Sequence, residues 1–239
     1  MPVQRVLGST IHYRDIGSGA PMVFLHGNPT SSHLWRHVIP AIGEGRRLAP
    51  DLIGMGDSGK PDIAYTFADH ARYLDAWFDA LALRDVVLVG HDWGGALAFD
   101  WASRHPDRVR GIAFTETIVK PMSWEEFPEG GRELFAAIKT DGVGEKMILD
   151  DDAFIEQGLP GTVSTPIGQS DLAVYRKPYP TRESRLPLLR WRARCRWAAS
   201  PPTWWHAWRR TTHGWPPARR CRSCCSPSRP DPARWCTRT

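Results

Sequence analysis

The run Val86-Val-Leu-Val-Gly-His-Asp-Trp-Gly-Gly-Ala-Leu-Ala-Phe99 decides the fold. It opens with four apolar residues, as buried parallel strands do, and the residues after Gly95 have the apolar spacing of a helix. The glycines between them permit a sharp reversal of the backbone. We therefore expect a strand, a tight turn with Asp92 at its apex, and a helix that starts near Gly94 and ends before Pro106.

Short apolar runs on either side of this stretch predict further buried strands at Met22–Leu25 and Gly111–Phe114. Between them, Thr66 and Asp69 have the spacing of a helix-capping pair. The apolar residues that follow recur at helical spacing, namely Leu74, Trp77, Phe78 and Leu81. Alternating strands and helices predict an α/β fold with a doubly wound, mostly parallel sheet.

Asp92 is the strongest candidate for a chemical role. A strand-to-helix turn with small residues on both sides is the nucleophile-elbow pattern, here with aspartate where serine often stands. The alternative is that Asp92 only caps the following helix, because aspartate is a favoured capping residue. The upstream strand and the flanking glycines favour a nucleophile.

A second loop of interest, His26–Ser32, also follows a predicted strand. It is similar to the hydrolase loop that supplies one backbone N–H donor to an oxyanion hole, the other donor coming from the residue after the nucleophile. We assign these two positions to Asn28 and Trp93. His26 and His91, inside the motif loops, are interpreted as hydrogen-bonded structural residues.

With Asp51–Ser58 and Phe114–Val119, these motifs closely resemble the haloalkane dehalogenases of the α/β-hydrolase superfamily. The resemblance runs from about Ile11 to Arg190, and Ala173–Tyr179 is similar to part of that family's cap. It implies an α/β-hydrolase fold with a helical cap. It also implies a small halogenated alkane and water as substrates, with no cofactor and no metal.

The resemblance assigns a role to four residues. Asp92 attacks the carbon that bears the halogen, Asn28 and Trp93 hold the departing halide, and Glu116 orients a histidine that acts as the base. A carboxylate can displace halide from an sp³ carbon, and two side-chain N–H donors stabilise the charge that gathers on the halogen. From its position alone, Glu116 is equally well read as a surface residue beyond a strand.

The predicted base is missing from the expected place. Of the nine histidines, only His206 and His213 follow Glu116, and no strand precedes either of them. Family members continue past the cap through further strands and helices to a loop with this histidine, and nothing after Arg190 resembles those elements. We therefore expect a chain that is truncated or frameshifted after about residue 190. The missing strands should leave an apolar edge of the sheet exposed, so we also expect poor solubility.

The segment 191–239 differs from the rest of the chain in composition. It contains all five cysteines, seven of the twelve tryptophans and eleven arginines, with Asp231 as its only acid. It contains no Leu, Ile, Val, Met, Phe or Tyr, so we predict an irregular tail. A disulfide framework and a zinc site fit its cysteine count and spacing poorly.

The domain organisation predicted from these patterns has three parts: a core at 1–120, a helical cap at 121–190 and the tail at 191–239. Acidic and aromatic residues in the cap predict helical segments at Glu133–Ile138 and Asp151–Gln157. No run of about 18 apolar residues suggests a membrane span, and the amino terminus lacks a signal-peptide pattern. We expect a cytoplasmic protein. Gly54-Met-Gly-Asp-Ser-Gly59 matches a dinucleotide-binding pattern, but Lys60 and Pro61 follow where a helix is required, so we interpret it as a turn.

Three alternative functions remain open. An epoxide hydrolase shares the elbow and would use cap tyrosines such as Tyr175 and Tyr179 to protonate the epoxide. A nucleic-acid binder would use the basic tail, but its arginines have no regular spacing and no binding fold accompanies them. A non-functional frameshifted product is the third. No nucleic acid is expected as a partner, and the sequence leaves the oligomeric state undetermined.

Overall fold

The computed structural model describes residues 1–117 and 129–193, apart from the side chains of residues 130 and 191–193. The described strands are β1 (Val3–Val6), β2 (Ser9–Ile16), β3 (Pro21–Leu25), β4 (Arg46–Pro50), β5 (Val86–His91) and β6 (Val109–Thr115). They form one sheet in the order β1-β2-β4-β3-β5-β6. The pairs from β4 to β6 are parallel, whereas β2 pairs antiparallel with both β1 and β4. The predicted mostly parallel sheet is confirmed.

The described helices are α1 (Val38–Ala41), α2 (Phe67–Ala80), α3 (Trp93–Arg104), α4 (Glu129–Lys139), α5 (Val143–Glu145), α6 (Leu159–Gly161), α7 (Gln169–Arg176) and α8 (Leu186–Ala193). Single 3-10 turns lie at Ser32–Trp35, Pro106–Arg108 and Glu183–Arg185, and wider π-type turns at Lys146–Asp150 and Phe154–Gly158.

Side chains of the central strands are buried on both faces of the sheet. Val23 and Leu25 of β3 pack with Trp77 of α2 and its neighbours, while Phe24 between them packs on the other face with Trp35. Successive strand residues point to opposite faces, so a strand covered on both sides is apolar throughout. This explains the unbroken apolar runs and confirms the doubly wound arrangement.

The helix predicted after Thr66 forms with its capping pair. The Thr66 hydroxyl accepts the Asp69 N–H at 3.1 Å, and the Asp69 carboxylate accepts the Thr66 N–H at 2.9 Å. This reciprocal pair satisfies N–H groups that would otherwise lack partners in the first turn. Leu74, Trp77 and Phe78 are buried, as their spacing predicts.

The residues from Glu129 onward build a second apolar core within the cap. It comprises buried residues of several short helices: Ile138, Ile148, Leu149, Phe154, Ile155, Leu159, Leu172, Tyr175, Tyr179, Leu188 and Leu189. The predicted helix at 133–138 lies inside α4. The one predicted at 151–157 is a π-type turn at Phe154–Gly158, which begins three residues later and ends one residue later than predicted.

The sheet of the described residues ends at β6, and this edge carries apolar surface. Phe114 is 52% exposed, although its ring also packs against Phe99 of α3 at 5.1 Å. An uncovered apolar edge was expected from the sequence. Exposed edges favour pairing with other chains, so poor solubility stays a prediction.

None of the helices in the described ranges is both long and apolar enough to cross a membrane. The predicted domain boundaries remain predictions, and most of the anomalous tail lies outside the described residues.

Candidate active site

Asp92 occupies the turn between β5 and α3 in a backbone conformation that few residues adopt. Its φ is 52° and its ψ is −127°. Such a conformation costs about 1–3 kcal/mol and persists only where the surroundings hold it. The Asp92 side chain makes no capping hydrogen bond to α3. The capping alternative therefore lacks the bond that defines it.

The carboxylate of Asp92 is instead directed toward the loop after β3. Its Oδ1 accepts the backbone N–H of Asn28 at 3.1 Å. Glycines make this approach possible: a Cβ on Gly27 would overlap the Asp92 carboxylate, and one on Gly94 would overlap the Leu25 carbonyl. The close approach of the two loops thus lets the backbone N–H of Asn28 donate to the carboxylate of the predicted nucleophile.

Asn28 also links the core to the cap. Its side chain is buried, and Nδ2 donates to the carbonyl oxygen of Leu188 in α8 at 3.2 Å. The sequence predicted this amide as a halide donor and did not foresee a cap partner. An amide nitrogen carries two N–H groups, so one bond to Leu188 is compatible with a second donor function.

Trp93, the other predicted halide donor, is the first residue of α3. It is half-buried, and its ring lies 6.2 Å from the ring of Phe67, centroid to centroid. It follows Asp92 directly, so the elbow fixes its backbone position. The structure thus brings Asp92, Asn28 and Trp93 to one end of the sheet, at the carboxyl ends of β3 and β5.

Glu116 lies at the same end of the sheet, directly after β6, but in a different environment. Its side chain is 81% exposed, and its Oε2 is 3.8 Å from Nε2 of His91. The sequence predicted that Glu116 orients a catalytic histidine. The described contact is with His91, which precedes the nucleophile, and the candidates His206 and His213 lie outside the described residues.

Asp51 is the centre of a buried polar network that sequence reasoning did not single out. His12 Nδ1 lies 2.8 Å from its carboxylate, which also accepts the N–H groups of Ser32 and Asp57. Burial raises the pKa of Asp51, but the hydrogen bond of His12, the charge that His26 carries when protonated and these N–H groups outweigh it and lower the pKa. The only signal in the sequence that could have indicated Asp51 is its place at the start of the Asp51–Ser58 motif.

His26 is a structural residue, as predicted. Its Nδ1 lies 2.9 Å from the Gly27 carbonyl oxygen, and its Nε2 accepts the N–H of Leu52 at 2.9 Å. Complete burial lowers its pKa and favours the neutral ring. The ring therefore ties the Asn28 loop to the loop after β4.

Among the described residues, His12, Asp51 and Asp57 could offer atoms to a metal ion, since these atoms lie within 4.8 Å of one another. Each already has a partner in the protein: Asp51 bonds to His12, and Asp57 forms an ion pair with Lys177 at 2.9 Å. The group is satisfied by internal hydrogen bonds. The expectation that no metal is required stays a prediction.

The two cap tyrosines named for the epoxide alternative lie in the apolar core of the cap. The Tyr175 ring packs edge-on against His33 at 5.5 Å. The Lys60 ammonium lies 5.2 Å from the centre of the Tyr179 ring. Burial raises the pKa of both tyrosines. Their described contacts thus connect the cap with the core.

The Gly54–Gly59 segment forms a turn, as predicted, closed by a hydrogen bond from the Gly54 N–H to the Gly59 carbonyl at 2.9 Å. A Cβ on Gly54 would overlap Tyr65 and also Pro187, which belongs to the cap.

A separate open cleft of about 610 Å³ lies near Gly19, Gly45 and Arg110. It is at the amino ends of the parallel strands, at the opposite end of the sheet from Asp92.

A family model described as the alpha/beta hydrolase fold matches residues 20–210. A haloalkane dehalogenase of Mesorhizobium japonicum is 53% identical over 189 residues, which cover 77% of this chain and 61% of that protein. The solved haloalkane dehalogenase DbeA of Bradyrhizobium elkani superposes with a TM-score of 0.83 and 46% identity, covering 89% of this chain and 75% of that one. The chain belongs to the haloalkane dehalogenase family.

Other members of the family give the same picture. A haloalkane dehalogenase of Sphingobium indicum is 49% identical over 193 residues, or 78% of this chain and 65% of that protein. The chain thus spans 61–65% of the length of these two curated haloalkane dehalogenases.

Proposed function

We propose that this chain, as a haloalkane dehalogenase family member, cleaves carbon–halogen bonds through a covalent intermediate on Asp92. A carboxylate oxygen forms a C–O bond as the carbon–halogen bond breaks, which leaves an alkyl ester and free halide. Hydrolysis of this ester by water, which would give an alcohol, is a separate second step. One observation carries the proposal: the Asp92 carboxylate makes no capping hydrogen bond to α3 and accepts the Asn28 N–H instead.

The halide is proposed to leave toward Asn28 and Trp93. Two neutral N–H donors stabilise charge on a departing halide without binding it as strongly as a full positive charge would. The Asn28 amide is held in place by the Leu188 carbonyl of the cap. In this proposal the cap contributes to halide binding by orienting that amide.

The second step makes a different demand, because ester hydrolysis needs a base that activates water. We propose Glu116 as the acid that supports such a base, with His206 and His213 as the candidates that the chain order allows. The two steps therefore depend on different residues, and the first can proceed without the second. Because the sequence predicts no strand before either histidine, we expect neither to act as the base, and therefore at most one halide per chain and no steady turnover.

The test measures halide release and intact protein mass after the 239-residue chain is mixed with 1-bromobutane. The expected result is a burst of no more than one bromide per chain and a mass gain of one butyl group, both abolished in Asp92→Asn. Steady bromide production would show a working base, and His206→Ala and His213→Ala would then locate it.

The epoxide alternative is tested with 1,2-epoxybutane in the same assay. Diol formation without bromide release from the paired substrate would assign the site to epoxides. If the folded protein releases no halide and forms no adduct, that result contradicts the dehalogenase proposal for this chain. We also propose that the substrate is a small haloalkane and that the protein is located in the cytoplasm.

A further inference from the structure

Thr117, to which the sequence analysis assigned no role, contacts the elbow through its side chain. Its hydroxyl donates to the backbone carbonyl of Asp92 at 2.5 Å. The same carbonyl accepts the N–H of Gly95 at 3.1 Å. The carbonyl of the proposed nucleophile is therefore held by the helix that follows it and by a residue 25 positions away.

The elbow has a space that this side chain fills. A Cβ on Gly95 would overlap the Thr117 hydroxyl and its Cβ, so Thr117 lies directly against the first turn of α3. Thr117 also follows Glu116 in the chain. The contact thus connects the segment that carries the predicted acid with the turn that carries the predicted nucleophile.

The hydrogen bond orients the whole peptide group between Asp92 and Trp93 and not only its carbonyl oxygen, because a peptide group is planar. Fixing the carbonyl of Asp92 also fixes the N–H of Trp93, which belongs to the same plane and points the opposite way. The bond opposes rotation about ψ of Asp92, which is held at the unusual value of −127°. The carboxylate of the same residue is bound independently, by the N–H of Asn28.

We propose that Thr117 is a positioning residue for the first chemical step, acting through the Asp92 backbone. This inference rests on the proposed function. The Thr117 hydroxyl keeps the Asp92–Trp93 peptide plane in one orientation. This orientation fixes where the Trp93 side chain starts relative to the Asp92 carboxylate, so that nucleophile and halide donor face the same substrate. Displacement at carbon requires the attacking oxygen to lie in line with the departing halide, and small misplacements of reacting groups reduce rates strongly.

The test compares Thr117→Val, which keeps the shape and removes the donor, with Thr117→Ser, which keeps the donor. The matched control is Thr115→Val, the same change at an exposed position of β6. Butyl-adduct formation from 1-bromobutane is followed by mass spectrometry over a range of substrate concentrations. This separates the saturating rate constant from the half-saturating concentration.

We expect Thr117→Val to lower the saturating rate constant roughly tenfold, with the half-saturating concentration unchanged. Thr117→Ser and Thr115→Val are expected to stay within about twofold of the unmodified chain. A normal rate constant in Thr117→Val, or an equal loss in Thr117→Ser, would overturn the proposal. So would a loss that appears only in the half-saturating concentration.

Hydrogen exchange decides the role of Thr117 even if the unmodified chain forms no adduct and the proposed function fails. Amide exchange in residues 92–99 is measured for the same variants without substrate. Faster exchange in Thr117→Val, restored in Thr117→Ser, is expected because the Asp92 carbonyl is also the acceptor for Gly95. Unchanged exchange in all variants would show that the hydroxyl does not hold the turn.

Discussion

Asp92 and Glu116 have similar backbone positions and different surroundings. Each lies at or just beyond the end of one of two adjacent parallel strands, with φ of 52° and 47°, respectively. The Asp92 carboxylate accepts the Asn28 N–H and its carbonyl accepts the Thr117 hydroxyl. The Glu116 side chain is 81% exposed. A strand end thus brings a side chain to the site, but contacts from distant segments are needed to hold it there.

The largest expected effect comes from filling the space around the elbow. Gly94→Ala places a Cβ against the Leu25 backbone, which cannot move without disturbing β3, so we expect a loss of about 3 kcal/mol in unfolding free energy. Gly111→Ala in β6 meets no atom within 4 Å and should change it by less than about 1 kcal/mol. Urea denaturation measures both, and equal effects would contradict the difference between the two regions.

Loss of one halide donor should be the next largest effect. Asn28→Ala keeps the backbone N–H and removes the amide, so we expect adduct formation to slow roughly 100-fold. Trp93→Phe should act in the same direction. The control is Trp35→Phe, since Trp35 lies in the core on the other face of the sheet. A rate unchanged in Asn28→Ala would rule out the proposed donor role of this amide.

A third acid, Asp51, extends the comparison to a fully enclosed carboxylate. Its pKa is lower in the folded protein than in the unfolded chain, so the stability it contributes is present above about pH 4 and is lost as the pH falls through the folded pKa. Asp51→Asn should cost about 1–3 kcal/mol near neutral pH and flatten the acid limb of the stability profile. Glu116→Gln serves as the exposed control. Parallel profiles in Asp51→Asn and the unmodified chain would disprove this role.

The smallest effect is expected at Glu116. Because it is proposed to act on the second step through a histidine, Glu116→Gln should leave the rate of adduct formation within about twofold. The measurement is the single-turnover rate followed by mass spectrometry. A loss as large as that of Asn28→Ala would place Glu116 in the first step.

The sequence predicted what depends on neighbours along the chain. The Thr66–Asp69 cap, the strand from Val86 and the helix that ends at Arg104 are local patterns of apolar spacing, capping and proline. The Asp92 turn was predicted for the same reason, since its glycines are adjacent in sequence.

Contacts between distant residues were not predictable in this way. The hydroxyl of Thr117 reaches Asp92, and the amide of Asn28 reaches Leu188, across 25 and 160 positions, respectively. Neither residue type indicates its partner, because threonine and asparagine serve equally well in turns and on surfaces. The π-type turn at Phe154–Gly158 was also missed, since apolar spacing predicts a helix but not its pitch.

The central claim is that Asp92 forms the covalent bond. The most direct measurement is to incubate the full chain with 1-bromobutane, digest it and locate the butyl group by tandem mass spectrometry, with Asp92→Asn treated in parallel. The account predicts one butyl ester, on Asp92, and none in the variant. A butyl group on another side chain at equal yield in both proteins, or no modification of folded protein, would contradict it.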